Sequence, residues 1–356
     1  MPHMFIPGPV DVDPEVLQVQ TQPMLPHRSR EFEALYRQTV EKTRPIFGTN
    51  GRIYITASSG TGLQEAAVRN FAQTRILSCI NGAFGKRWHT VATTNGKLAK
   101  ALEFEWAVPV NPSVVAEAVR RGQYEAVTIV HNETSTGVQN PVQEIAAAVH
   151  EASPQTLVCV DAVSSLGGVE IEMDAWGIDF LLTSSQKCLA LPPGLGLAAV
   201  SDRALEYATQ VPHRGWYFDL LRLEKHRLKD STPATPAVSL IYALDRQMDR
   251  ILKEGLEKRF TRHRMLALKV REWVFAQGFR LYAPEGFQSN TVTTVINRLN
   301  LDVDALNAYL QNRGMRIANG YGPLKNETFR IAHMGETQAG DIETLLTAIN
   351  EFISKH

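Results

Sequence analysis

Two observations along the chain predict an α/β architecture with a smaller α+β unit behind it. Through the first two-thirds, short apolar runs alternate with amphipathic helical patterns, which is how a mostly parallel sheet with covering helices reads. Past about Ser239 the texture changes to a long charged helical pattern, then strand, helix, strand, helix. At 356 residues the chain also exceeds one ordinary core, which favours two domains. We expect an N-terminal segment over 1–15, a large α/β domain over 16–240 and a small C-terminal α+β domain over 241–356.

Each element follows from its local pattern. After an irregular, proline-rich opening, "RIYIT" reads as a strand leading into the helix "LQEAAVRNFA". "RILSCI" precedes a helix around Lys86 to Asn95, and "AKALEFEW" reads as the next strand. The helix "PSVVAEAVRRG" precedes "EAVTIVHN", "VQEIAAAVHEA" precedes "TLVCVDAV", and "IDFLLT" supplies a further strand. The run "IYALDRQMDRILKEGLEKRFTRHRMLALKVREWVFAQG" repeats apolar residues at helical intervals and predicts one long helix, with Arg246 to Arg271 on a solvated face. "TVTTVINR", "DVDALNAYLQNRG", "ETFRIAHMG" and "GDIETLLTAINEFI" complete the smaller unit.

Composition narrows the function. Lys+Arg and Asp+Glu both number 37, so no global field draws the chain to nucleic acid or an anionic membrane. Cys79, Cys159 and Cys188 lack metal-ligand spacing, and two lie in apolar runs, which suits reduced thiols in the cytoplasm. The opening "MPHMFIPGPV" has neither the basic start nor the apolar stretch of a signal peptide, and no apolar run approaches a membrane span.

In open parallel sheets, ligands gather at the carboxyl ends of the strands. After "RIYIT" comes "ASSGTG", where Ser59, Gly60 and Thr61 open a helix with small residues and free backbone N–H groups, a plausible anion cup. A helix cap serving only its own helix explains that motif equally well, and no Gly-Lys-Ser/Thr follows to make it a nucleotide P-loop. "NETSTG" follows the next strand with Asn132, Glu133 and Thr134, and Asp161 ends "TLVCV". A carboxylate there is costly without a cationic partner. Lys187 then follows "IDFLLT" and is fenced by Pro192-Pro193-Gly194. A phosphate cup, a buried acid and a fenced lysine fit one ligand carrying a phosphate, a basic ring nitrogen and an aldehyde, the inventory of pyridoxal 5′-phosphate.

The ordered set "PGPV", "SSGTG…EAA", "NGAFGKR", "NETSTGV", "VDAVSSLGG", "SSQKCLALPPG", "TPATP" and "FRIAHMG" spans nearly the whole chain. It resembles the class V aminotransferases of pyridoxal-phosphate fold type I, in the alanine–glyoxylate and serine–pyruvate branch. The resemblance implies that Lys187 holds the cofactor as a Schiff base and that Asp161 keeps its ring nitrogen protonated. It further implies that Val163 packs beneath the ring, with Phe84 stacked on it where many relatives have tryptophan. Thr134 and Gln186 would hydrogen-bond the ring oxygen. Ser59, Gly60 and Thr61 would take the phosphate, with Thr235 reaching in from a partner subunit of a homodimer. Thr61 stands where some members have histidine, and Thr232 where some have tyrosine. Arg330 would grip the substrate α-carboxylate, a task suited to a planar, permanently charged fork.

These implications make the chain a transaminase moving an amino group from serine or alanine to glyoxylate or pyruvate. His27 and Arg28, in "PHRSREF", resemble the element with which phosphoserine aminotransferases hold the substrate's phosphate, so phosphoserine with 2-oxoglutarate is the competing substrate pair. A docking segment explains the same two residues equally well. A lyase or desulfurase is less favoured: desulfurases need a mobile cysteine well downstream of the lysine, and no cysteine follows Cys188.

Overall fold

The computed structural model describes residues 3–355. Its strands are β1 (His3–Phe5), β2 (Arg52–Ala57), β3 (Arg75–Ile80), β4 (Leu98–Glu103), β5 (Ala126–Val130), β6 (Asn132–Glu133), β7 (Val138–Gln139), β8 (Leu157–Asp161), β9 (Phe180–Ser184), β10 (Leu195–Val200), β11 (Arg280–Leu281), β12 (Val292–Ile296), β13 (Met315–Asn319) and β14 (Thr328–Ala332). Seven of them form one sheet in the order β2-β10-β9-β8-β5-β3-β4. Every pairing in it is parallel except those of β10, which runs antiparallel to both β2 and β9. The central strands β5, β8 and β9 are buried at every residue, as parallel strands covered on both faces must be.

Two apolar layers flank this sheet. On one side Val115, Val119, Ile145, Val149 and the helix Val238–Glu254 pack with Phe32, Tyr36 and Phe47. On the other, Leu63, Ala67 and Phe71 of the helix Gly60–Phe71 pack with Trp88, Phe180 and Leu182. The second sheet, β1-β13-β14-β12-β11, has its own core from the helices Leu256–Ala276, Val303–Gln311 and Ala339–Ile353. This is the α/β fold with a smaller α+β part that the sequence predicts.

Two expectations need correction. The single long helix is two, Val238–Glu254 and Leu256–Ala276, parted at Gly255 with φ +86, a backbone state that glycine enters without steric cost. Residue 240 lies within the first of these helices, whose Ile241, Leu244, Met248 and Ile251 pack into the first core. The arginines of this region are not a uniformly solvated face. Arg259 is fully buried and donates to the carbonyls of Gly167, Cys188 and Gly335 and to the carboxylates of Glu254 and Glu336. Five acceptors replace the water it loses, which is what a buried guanidinium requires.

The proline-rich opening also holds more order than its composition suggests. β1 pairs with β13 in parallel, so the N-terminal segment closes one edge of the second sheet. Ser29 caps the 18-residue helix Arg30–Phe47, whose Phe32, Tyr36, Val40 and Phe47 face the core, and Gly48 ends it at φ +59.

Candidate active site

Strands β2, β5, β8 and β9 run in one direction, so their carboxyl ends share one edge of the sheet. The chain leaving them lines a cavity of about 180 Å³. Its wall contains Ser59, Gly60 and Thr61 after β2, Asn132 and Thr134 after β5, Asp161 and Val163 at the end of β8, and Gln186 and Lys187 after β9, with Phe84 from the helix Ala83–Thr94. All nine residues expected around the cofactor from within this chain are thus brought together. A second cavity of about 430 Å³ adjoins it, sharing Phe84, Thr134 and Lys187 and adding Arg330 and Tyr321.

Lys187 sits on a pinned loop. Ser185 Oγ donates to Pro192 O at 2.7 Å and accepts from Leu195 N at 3.2 Å, fixing the turn between β9 and β10. The Lys187 amine donates to the carbonyl of Pro7, in a strap that leaves β1 and crosses to the lysine. Burial, with the nearby Arg330 guanidinium as the second cause, lowers its pKa from 10.5 to about 8. Gly8, at φ +85, makes the approach possible: a Cβ there would lie 2.6 Å from Lys187 Cδ and 2.9 Å from Gln186 O.

Asp161 is 5% exposed. Burial raises the pKa of its carboxyl, while hydrogen bonds from Val163 N (2.9 Å) and Gln64 Nε2 (2.7 Å) pull the other way. The positive fields of Lys187 and Arg87 also favour the ionised form.

Arg330, on β14, is 7% exposed and lies opposite Ala318 of β13. Its fork donates to Asn319 O at 3.0 and 3.1 Å and to Thr134 O at 3.3 Å, and its guanidinium carbon lies 5.5 Å from the Tyr321 ring centre. Burial lowers its pKa to about 10, which still leaves it a cation at neutral pH. Carbonyls position the fork without neutralising it, so it can attract an anion.

Other expected residues lie elsewhere. Thr235 is exposed in a groove with Thr232, Trp216 and Tyr217, outside the lysine cavity of its own chain. Arg28 donates to the carbonyls of Thr232 (2.6 Å) and Pro233 (3.4 Å), and neither it nor His27 lines the cavity of this chain. Cys188 is buried with its thiol on Ser164 O, the packing role expected of it.

Sequence reasoning missed several residues. Gln64 and Arg87 line the inner cavity, Tyr321 the outer one, and Ser184 contributes a buried hydroxyl. Arg87 stands within the quoted "NGAFGKR", where its spacing of three from Phe84 was the available signal: on a helix the two share a face. No periodicity marks Gln64 as a partner of Asp161, because the contact joins residues 97 apart.

The residues present suit pyridoxal phosphate. Three buried polar atoms on this wall, Asn132 Oδ1, Ser184 Oγ and Gln64 Oε1, have no protein partner, a cost tolerated only where a ligand or water completes them. Ser59 begins the helix Gly60–Phe71 without capping it, leaving its hydroxyl and the first N–H groups for an anion.

The sequence comparison decides the family, since the class V aminotransferase family model matches residues 15–328. The chain belongs to the class V aminotransferases. An uncharacterised aminotransferase of Methanocaldococcus jannaschii is 37% identical over 350 residues, covering 97% of this chain and 90% of that protein. The serine–glyoxylate aminotransferase of Methylorubrum extorquens is 32% identical, covering 94% and 86%. Among solved structures, ureidoglycine–glyoxylate aminotransferase of Bacillus subtilis superposes with a TM-score of 0.93 at 30% identity, covering 100% and 94%. As a class V aminotransferase of fold type I, the chain is a pyridoxal-phosphate-dependent transaminase. Among the described residues no helix is long and apolar enough to cross a membrane.

Proposed function

We propose that this transaminase moves the amino group of serine or alanine to glyoxylate or pyruvate, with Lys187 as the residue that carries the cofactor. The observation that carries this reading is the convergence of Lys187, Asp161 and Arg330 on two joined cavities, each with a pKa shifted by burial. When bound, pyridoxal phosphate supplies an aldehyde for amine exchange and a ring that accepts the electron pair released at the substrate's Cα.

The protein's part follows from its own residues. The Arg330 fork holds the α-carboxylate, orienting the Cα–H bond toward Lys187. Once the donor's amine has displaced it from the cofactor, the lysine amine, with its affinity for protons reduced, would take the proton from Cα and hand it to the carbon that was the aldehyde, general acid–base work for which a pKa near operating pH is suited. Asp161, ionised when a cation faces it, would hold a proton on the ring nitrogen. Phe84 and Val163 would enclose the ring, Thr134 and Gln186 would hold its oxygen, and Ser59, Gly60 and Thr61 the phosphate.

Two of the similar proteins are named as glyoxylate aminotransferases, which supports a small 2-oxo acid as acceptor. A homodimer is part of the proposal: Thr235 is exposed beside Trp216 (54% exposed) and Tyr217 (42%), a surface suited to reach a second copy. Arg28 would then serve by holding the 232–233 backbone of that surface. The division we propose is an N-terminal strap, a cofactor-binding unit running to Gly255 and a smaller unit beyond it. The three buried, unpaired cysteines support a cytoplasmic setting.

Absorbance scans of the cofactor-loaded enzyme with serine, alanine, glutamate and phosphoserine test the substrate assignment. Serine or alanine should convert the cofactor to its amine form, and glyoxylate or pyruvate should restore it. Conversion by phosphoserine alone, abolished by Arg28→Ala, would overturn the assignment in favour of the phosphorylated donor.

A further inference from the structure

Arg87 occupies the wall of the inner cavity beside the expected phosphate cup. Its partners are the Thr61 hydroxyl (Nη1, 3.5 Å), the Tyr321 hydroxyl (Nη2, 3.1 Å) and the Phe84 ring, whose centre lies 4.7 Å from the guanidinium carbon. None is an acid. No carboxylate bonds this half-buried cation: Asp161, on the same wall, accepts instead from Gln64 and Val163, so an anionic ligand would find the guanidinium without an ion-pair partner.

Two further observations say where that anion sits. Ser59 leads into the helix Gly60–Phe71 with its hydroxyl uncommitted, so the positive end of that helix opens toward the cavity. Ser184, fully buried, has a hydroxyl without a partner on the same wall, 3.7 Å from where a Cβ on Gly60 would stand. The helix start, the orphaned hydroxyl and the guanidinium thus converge on one place. Thr61 itself brings no charge there.

We propose that Arg87 is the counter-cation of the cofactor's phosphate, binding it together with Ser59, Gly60, Thr61 and Ser184. This rests on the proposed attachment of the cofactor at Lys187. The helix Ala83–Thr94 explains how one element does two jobs. Phe84 in its first turn faces the ring, and Arg87, three residues on and on the same helix face, reaches the phosphate end.

The test is equilibrium binding of pyridoxal phosphate and of pyridoxal, which lacks the phosphate, to the apo forms of wild type, Arg87→Gln and Arg87→Lys. The readout is the visible absorbance of the lysine-bound aldehyde, with inorganic phosphate as competitor. Wild type should prefer the phosphorylated aldehyde, and Arg87→Gln should shrink that preference about tenfold to a hundredfold, as expected for losing a charge-assisted bond. Arg87→Lys should retain part of it, and keeps the test open if the Gln variant fails to fold. Inorganic phosphate should compete measurably less well in Arg87→Gln.

Equal weakening of both aldehydes would overturn the proposal and leave Arg87 as a prop for Phe84. An unchanged preference, with only a raised KM for donors bearing a second anionic group, would overturn it in favour of a substrate contact. If wild type forms no lysine-bound absorbance with either aldehyde, the Lys187 reading fails first and takes this proposal with it.

Discussion

The protonation state of Lys187 gives the sharpest pH prediction. Lowering its pKa from 10.5 to about 8 raises the neutral-amine fraction at pH 7 by about 300-fold. The neutral amine is the form that attacks an aldehyde. The rate at which apoprotein captures pyridoxal, followed by visible absorbance from pH 6 to 10.5, should therefore climb and level off just above pH 8. Arg330→Gln sharpens the test. Removing a neighbouring cation favours the protonated amine, so the plateau should move to higher pH. It should stop short of 10.5, because burial is the larger cause and the substitution leaves it in place. A capture rate still rising at pH 10 in wild type would show an ordinary solvated lysine and refute the reasoning. So would a shift to lower pH in Arg330→Gln.

The same linkage reaches stability: between about 8 and 10.5 the unfolded apoprotein binds more protons than the folded, so the lysine's contribution to stability rises with pH there. Gly8→Ala should destabilise by more than Gly96→Ala, as read from urea midpoints. Both sites have positive φ (+85 and +73), costing about 1–2 kcal/mol in backbone strain, but only Gly8 adds overlap with Gln186 O and Lys187, since nothing lies within 4 Å of a Cβ on Gly96. Equal effects would show that the strap does not press on the lysine. Arg259→Met should cost about 2–4 kcal/mol in chemical denaturation, because it leaves the buried carbonyls of Gly167 and Cys188 without their side-chain donor, while Glu254 and Gly335 keep Arg262 and Glu336 keeps Gln247. A loss below about 1 kcal/mol would mean that those groups find water.

Much of this arrangement was legible in the sequence, for identifiable reasons. Strands β5, β8 and β9 read correctly because burial on both faces writes them as continuous apolar runs. The site followed from asking what stands at their ends: the helix Val142–Ala152 separates Thr134 from Asp161, and a helix-free connection leads from Asp161 to β9 and Lys187. β10 escaped notice because Pro192-Pro193-Gly194 and the internal Gly196 blur its start. The helix Arg30–Phe47 escaped because Pro45 and three threonines or glutamines interrupt its apolar spacing, although Ser29 and Gly48 mark both ends.

What could not be read was long-range polar pairing. Arg259 and the exposed Arg264 are alike as residue types, and only the tertiary fold brings the carbonyls of Gly167, Cys188 and Gly335 around the former. Gln64 on Asp161 and Arg87 between Thr61 and Tyr321 are hidden in the same way. Apolar periodicity encodes which face is buried; it carries nothing about which buried polar groups will meet.

The most direct measurement is peptide mapping by mass spectrometry after borohydride treatment of the cofactor-loaded enzyme. The reduced pyridoxyl phosphate mass should appear on the peptide containing Lys187, at one site per chain. Label on a different lysine, or none on any, would contradict attachment there.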